Sequence, residues 1–263
     1  MKRFINPKNI PLLVLGSSLL AMLIRIWTRG GGPDADGLFA PKPLVWCLLW
    51  LLTFATAAAI VMAVGRLKNS PVYREHYPKS VVAGLCAAPA GVYILISSYL
   101  QLRSSVALEL PETTIVDTVA GLGGLVAGLC LLLAALHRCM GRKPFFLING
   151  LICLYLALRL FNRCQIWSNE PQISIVVFPF LASTALMLSQ YQRICFDVDL
   201  GKRRWSALWN LMSVYLCIVA IFSFDQPLFY GLCALWQLSD LCSLRPLKKK
   251  RLPVEPELPE AEQ

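Results

Sequence analysis

The sequence predicts an all-α membrane protein, a bundle of about eight transmembrane helices with the N and C termini in the cytoplasm. Hydrophobic residues make up 57% of the 263 residues and charged residues only 15%, and the mean hydropathy is +0.60. A soluble domain carries about a quarter charged residues, so this chain lacks the polar groups that would cover its apolar surface in water. We therefore expect a multi-pass protein of the cell membrane.

Apolar runs long enough to cross a bilayer recur along the chain, and each needs about 20 mostly apolar residues. The first run lacks the small-residue cleavage site of a signal peptide, so it is expected to remain as a span. The expected spans are 10–27, 44–65, 81–102, 116–137, 144–164, 172–192, 205–224 and 227–244. Together they form one transmembrane domain, 1–246, followed by a basic, then acidic and proline-rich tail, 247–263, that is expected to be disordered.

The positive charges predict the orientation of these spans. Cytoplasmic loops of membrane proteins are enriched in lysine and arginine, and most of the 25 in this chain fall in alternate loops, namely Lys2, Arg3, Lys8, Arg66, Lys68, Arg74, Lys79, Arg138, Arg142, Lys143, Arg193, Lys202, Arg203, Arg204, Arg245, Lys248, Lys249, Lys250 and Arg251. The last four form a cluster that could contact anionic lipid. Because the charges lie beside apolar runs, they do not indicate nucleic-acid binding.

Small residues recur at four-residue spacing in the second, third and fourth spans, where they allow close contact between helices. The three sets are Ala55, Ala59 and Ala63; Ala83, Ala87 and Gly91; and Ala120, Gly124 and Gly128. This pattern predicts a tight unit of three helices. The alternative is a homo-oligomer formed through Gly124 and Gly128.

Two prolines, Pro89 and Pro179, fall inside the third and sixth spans. Proline removes a backbone donor and frees the carbonyl one turn earlier, so we expect a helix break or kink at each. The same number of residues separates Pro89 from Arg103 and Pro179 from Arg193. Since these spans cross in opposite directions, the match suggests an inverted repeat of three plus three helices, a plan common in secondary transporters.

Polar residues inside the spans fall into two layers, and in lipid each needs a partner or a water-filled cavity. The inner layer contains His137, Asn149, Gln190, Asn210 and Asp240. It could bind a cation or relay protons, or it could be a clamp in which Asp240 pairs with Arg193 or Arg204. The outer layer contains Arg25, Asp117, Arg159, Asn162 and Asp225. It could admit an anion, or Arg159 could pair with Asp117 or Asp225.

One segment carries a resemblance to known sequences. Leu158-Arg159-Leu160-Phe161, followed by Trp167-Ser168-Asn169-Glu170-Pro171-Gln172, resembles a segment of uncharacterised bacterial multispanning membrane proteins. The resemblance implies a bacterial membrane protein and no known activity.

No motif predicts an enzyme, a cofactor or a metal site. Asp197-x-Asp199-x-Gly201 imitates the start of a calcium loop, but Leu208 occupies the position of the required bidentate carboxylate. The leading hypothesis is therefore a small-solute carrier, and the alternative is a non-transport membrane scaffold or assembly partner. A membrane enzyme is third, because no nucleophile or metal constellation is recognisable. A carrier predicts an aqueous cavity that reaches Pro89 and Pro179 and exposes Arg159 or Asp240. A scaffold predicts a solid bundle in which both charged residues have partners.

Overall fold

The computed structural model describes residues 10–29, 43–67, 77–107, 115–168, 173–222 and 226–243. The regular secondary structure of these residues is entirely α-helical. The helices are α1 (Ile10–Arg29), α2 (Pro43–Gly65), α3 (Val81–Ala107), α4 (Ile115–Met140), α5 (Phe146–Trp167), α6 (Ile173–Asp197), α7 (Arg203–Ala220) and α8 (Pro227–Cys242).

Six helices, α1 to α6, are long and apolar enough to cross a membrane. Large apolar side chains such as Leu51, Phe54 and Met62 of α2 point outward and are exposed, while polar side chains such as Gln190 and Asp240 are buried inside the bundle. This inside-out distribution matches hydrocarbon as the surrounding solvent. The chain is therefore a polytopic membrane protein.

The last two described helices are shorter than the others, and α7 is also the least apolar of them. Helix α7 has 18 residues and α8 has 16. Helix α7 packs against α1, α2, α6 and α8, and most of its side chains are buried. A helix enclosed by other helices faces protein rather than lipid, so it can carry polar residues that a lipid-facing helix could not.

Contacts between loops show how the helix ends are arranged. Lys143, which follows α4, lies 2.8 Å from Asp199, which follows α6. Arg138 near the end of α4 donates a hydrogen bond of 2.6 Å to Ser243, which follows α8. The ends of α4, α6 and α8 therefore lie together. We call this end of the bundle the basic end; it comprises 66–67, 77–80, 138–145, 198–204 and Ser243.

Helices α3 and α4 pack closely through the predicted small residues. Gly124 and Gly128 are buried against α3. A Cβ at Gly128 would lie 3.0 Å from Gly91 O, and one at Gly124 would overlap Ser98 Oγ. A homodimer through this face would have to replace these contacts, and it stays a prediction.

Helix α2 does not complete the predicted unit of three helices. It packs mainly against α1 and α7, and its aromatic residues Trp46 and Trp50 contact Phe178 of α6, with ring centroids 6.1 and 5.5 Å apart. The buried face of α2 includes Leu49, Thr53 and Ile60, whereas Ala55 of the predicted small-residue face is exposed. In an inverted repeat of three plus three helices, α2 would correspond to α5. Helix α5 packs against both α4 and α6, whereas α2 packs against α1 but not comparably against α3. Among the described residues, the helix neighbours do not repeat as three plus three.

Both proline-containing helices are continuous. Pro89 lies on the exposed face of α3, and Pro179 is buried within α6. Several predictions fall outside the described residues: both termini, Asp225, the Asn169–Gln172 segment, the basic cluster Lys248, Lys249, Lys250 and Arg251, and the tail 247–263.

Candidate functional site

A line of polar contacts joins α6 to α8 inside the bundle. Its contacts are Ser183 Oγ to Tyr230 Oη at 3.3 Å, Ser189 Oγ to Gln237 Oε1 at 3.0 Å, and the Arg193–Asp240 ion pair. The partners are 47 or 48 residues apart in each case, so the two helices run in the same direction in a constant register. We call this line the polar ladder. Ten residues of α6 separate its first and last contacts, about 15 Å at the helical rise.

The ladder ends in a buried ionic cluster at the basic end. Asp240 forms an ion pair with Arg193, and its second oxygen lies 3.5 Å from Arg138 Nε. The Arg138 and Arg193 guanidinium carbons lie 5.0 and 5.1 Å from the centroid of the Tyr77 ring, and Trp236 faces Arg193 at 5.0 Å. One carboxylate and two aromatic faces thus compensate two buried guanidinium groups.

The residues of the predicted inner polar layer do not form one cluster but make separate contacts. Asn210 accepts a hydrogen bond from the Ser189 hydroxyl beside the ladder. Gln190 is fully buried, and neither of its amide atoms has a hydrogen-bond partner among the described residues. His137 is half-buried and contacts Leu133 O of its own helix at 2.8 Å.

Asn149, the remaining inner residue besides Asp240, donates a hydrogen bond of 2.6 Å to Asp197. Asp197 and Asp199 follow the predicted sixth span, in a pattern that imitates the start of a calcium loop but lacks its bidentate carboxylate. Asp197 instead ends α6 and is buried, while Asp199 contacts Lys143. Among the described residues, no group of three or more histidine, cysteine or acidic side chains could hold a metal ion.

Arg25 of the outer layer is buried among backbone acceptors. Its Nη1 donates to Val219 O of α7 and its Nη2 to Ile175 O of α6, both at 3.2 Å. Ile175 lies four residues before Pro179, which has no N–H to donate to that carbonyl. Arg25 supplies the missing donor, and its guanidinium carbon also lies 4.8 Å from the Phe178 ring centroid.

Arg159 is buried against α8, with its guanidinium carbon 3.7 Å from the centroid of the Phe229 ring. Asp117 accepts hydrogen bonds from two amides, Asn162 Nδ2 at 2.9 Å and Gln101 Nε2 at 3.4 Å. These contacts join α3, α4 and α5 at the end of the bundle opposite the basic end. Four of the five outer residues are described, and they lie on three helices, α1, α4 and α5. Asp117 contacts Asn162, whereas Arg25 and Arg159 contact other parts of the bundle.

A groove of about 280 Å³ lies on the surface between α4 and α5. Its lining is apolar apart from the Tyr155 side chain and comprises Val119, Leu122, Gly123, Val126, Leu151, Leu154, Tyr155 and Leu158. Leu122 and Leu154 are exposed on the outer surface of the helices. This groove includes neither of the prolines nor the charged residues that the carrier hypothesis would place in an aqueous cavity.

Three members of this cluster were not predicted from the sequence as partners of Asp240: Tyr77, Arg138 and Trp236. Arg193 was predicted as one of two possible partners. The arginines were interpreted only as topology signals or as one possible partner of Asp240. Helices α4 and α6 continue to Met140 and Asp197, beyond the predicted ends of their spans, and this brings both arginines inside the bundle. The sequence signal that could have placed both arginines inside the bundle is that the residues after each apolar run can continue the helix.

No protein-family model, curated protein or solved structure matches the chain. The fold and the buried polar groups therefore define its class. It is a multi-pass helical membrane protein with ionic and amide contacts enclosed between its helices.

Proposed function

We propose that the chain crosses the membrane eight times, with the basic end and both termini in the cytoplasm. Support comes from the contacts that bring the ends of α4, α6 and α8 to one end, and from the lysines and arginines concentrated there. A cysteine replacing Lys202 should react with an impermeant maleimide only after cells are opened, while one replacing Ser168 should react in intact cells. Labelling of Lys202→Cys in intact cells would contradict this orientation.

We further propose that the bundle is a non-transport membrane scaffold or assembly partner. The observation that supports this most is the enclosure of Asp240 and Arg159, which contact Arg193 and the Phe229 ring inside the chain. Removing one partner of a buried ion pair costs about 3–5 kcal/mol. A carrier that exposed this ion pair to water in every transport cycle would have to overcome a cost of this kind each time. A permanently closed bundle therefore fits the contacts better.

A small-solute carrier seen in a closed form is the second candidate, and one observation favours it. The buried Gln190 amide has an acceptor and a donor without hydrogen-bond partners among the described residues. Leaving such a group unsatisfied in an apolar interior costs about 1–3 kcal/mol. A polar solute or water that entered beside the polar ladder would relieve this cost.

The native cysteines can distinguish the two candidates. Cys233 is buried in α8 between two ladder residues, and Cys242 is exposed at the basic end. Opened membrane vesicles would be treated with a charged methanethiosulfonate, and the modification of each cysteine would be followed by peptide mass spectrometry. A scaffold predicts that Cys242 reacts while Cys233 reacts only after denaturation in dodecyl sulfate.

A carrier predicts that Cys233 reacts in the folded chain, because opening must bring water to the ladder. Reaction of Cys233 at a rate similar to that of Cys242 would therefore overturn the scaffold proposal. The buried Cys130 of α4 provides a matched control away from the ladder. If Cys130 and Cys233 reacted together, the cause would be general loosening of the bundle rather than opening at the ladder, and the carrier would not be supported.

A further inference from the structure

The basic end carries most of the exposed charge that the structure describes. Its exposed charged residues are Arg66, Lys79, Arg142, Lys143, Asp199, Lys202 and Arg204. The one acid among them is already neutralised, because Lys143 Nζ lies 2.8 Å from Asp199 Oδ2. At the opposite end, Arg103 is the one exposed cation whose side chain is described. Within the described part of the chain, exposed charge is therefore strongly asymmetric along the bundle axis.

Contacts between loops gather these cations into a continuous rim. Gly141 turns the chain after α4 with φ +72°, and a Cβ at this position would lie 2.8 Å from the Lys79 Cβ. The start of α3 is thus held against the end of α4. On another side, Arg204 Nε donates a hydrogen bond of 2.6 Å to Leu67 O, which joins the start of α7 to the end of α2. Charges distant in sequence therefore share one surface.

Exposed apolar side chains lie among the cations of this rim. Leu200 is 75% exposed, Trp205 50% and Val198 45%. Tryptophan beside lysine and arginine is typical of the membrane interface, where the ring lies at headgroup level and the cations reach phosphate. A surface for nucleic acid or an acidic peptide in water would gain nothing from exposing leucine and valine, so a lipid surface fits this composition better.

We propose that the rim binds the phosphate groups of anionic phospholipids in the adjacent leaflet, with Leu200 and Trp205 inserted among the lipids. A cation near an anionic lipid surface gains attraction that falls off within a Debye length. The loops hold several cations at one level, so their attractions act on the same layer of headgroups. This proposal is independent of whether the bundle is a scaffold or a carrier.

The test compares lipid retention by the full chain and two variants. Purified protein in detergent would receive equal amounts of phosphatidylglycerol and phosphatidylcholine, and bound lipids would be counted by native mass spectrometry. We expect phosphatidylglycerol to be retained preferentially. Each cation removed in the double variant Arg142→Gln/Lys202→Gln should lower that preference about fivefold. Arg103→Gln at the opposite end is the matched control and should leave the preference unchanged.

Equal retention of the two lipids by the unmodified chain would overturn the proposal. An equal loss in Arg103→Gln and in the double variant would also overturn it, because the effect would then reflect total charge rather than this rim. Thermal unfolding of each variant checks that the fold is kept, and a second pair, Arg66→Gln/Lys79→Gln, replaces the first if it is not. Displacement of phosphatidylglycerol by heparin at physiological salt would indicate a surface for a soluble polyanion and would contradict the lipid assignment.

Discussion

The two ends of the bundle bury arginine in different ways. At the basic end, Arg138 and Arg193 face the carboxylate of Asp240. At the opposite end, Arg25 donates to two backbone carbonyls, and Arg159 lies over the Phe229 ring. A carboxylate charge compensates the two arginines of the basic end. At the opposite end, peptide dipoles contact Arg25 and an aromatic face contacts Arg159. The difference shows that a guanidinium group inside a membrane bundle can be stabilised by an acid or by dipoles.

Mutations at the two ends of the bundle should lower the free energy of unfolding by different amounts. Removing a carboxylate from the basic end leaves two cations in an interior of low dielectric, which is the most expensive result. Removing Arg25 or Arg159 from the opposite end leaves a cavity beside two backbone carbonyls or beside the Phe229 ring. The predictions below test this ranking.

The largest effect is expected for Asp240→Asn. This substitution keeps the size of the side chain but leaves Arg138 and Arg193 without their shared charge, and should lower the free energy of unfolding by about 3–5 kcal/mol. Thermal unfolding in detergent would measure it. The matched control is Asp199→Asn, which breaks the exposed pair with Lys143 and should cost less than about 1 kcal/mol. Equal losses would show that burial of the ion pair does not matter.

The next largest effect is expected for Arg25→Leu, at about 2–3 kcal/mol, because the carbonyls of Ile175 and Val219 lose a charged donor. In a Pro179→Ala background the restored N–H of residue 179 can donate to Ile175 O within the helix. The cost of Arg25→Leu should then fall by about 1 kcal/mol.

Pro89→Ala is the control for this coupling, because that proline lies on the exposed face of α3. The cost of Arg25→Leu should be the same in the Pro89→Ala background as in the unmodified chain. Unfolding free energies of the unmodified chain, the three single variants and the two double variants complete both cycles. Strict additivity of Arg25→Leu and Pro179→Ala would refute the link between the arginine and the freed carbonyl.

A smaller effect, about 1–2 kcal/mol, is expected when Arg159 is replaced by methionine, which keeps much of the apolar stem but loses the cation–π contact with Phe229. Phe229→Leu should cost a similar amount, and the double variant should cost less than the sum of the two. Chemical denaturation of the reconstituted chain would provide these values. A loss as large as that of Asp240→Asn would remove the distinction between the two ends.

The smallest effect is expected between the two ends, at Gln190. Leucine at this position removes a buried amide that has no hydrogen-bond partner among the described residues, so Gln190→Leu should raise the free energy of unfolding by about 1 kcal/mol. Gln192→Leu, at a half-buried position of the same helix, should change it by less. Destabilisation by Gln190→Leu would instead mean that the amide holds water or a solute, which favours the carrier.

Most of the helical framework could be predicted from the sequence, because lipid-facing helices must be apolar along their whole length. The six helices that could cross a membrane agree with the first six predicted spans within a few residues. Helices α7 and α8 were harder to assign by hydropathy alone, since Asn210, Gln237 and Asp240 face other helices. The apolar character of α7 is low because neighbouring helices replace lipid around it, whereas α8 differs mainly in its short length.

The candidate site could be predicted only in part. Arg193 was one of two alternative partners of Asp240, since Arg193 directly follows the predicted span 172–192 and Arg204 directly precedes the span 205–224. The contact of Arg25 with Ile175 O could not be predicted, because it depends on the packing of α1 against α7 and on the position of α6. Tyr77 lies outside the predicted spans, so its contacts with two arginines carried no sequence signal.

The contacts of Arg25 can form only late in the synthesis and membrane insertion of the chain. Its acceptor in α6 lies 150 residues later in the sequence, and its acceptor in α7 lies 194 residues later. A ribosome therefore delivers the first helix to the bilayer long before either carbonyl has been synthesised. During that interval the guanidinium must reach toward the headgroups. Nascent chains that stop before the sixth helix would retain an arginine at the lipid boundary, a feature that membrane quality-control proteases could recognise.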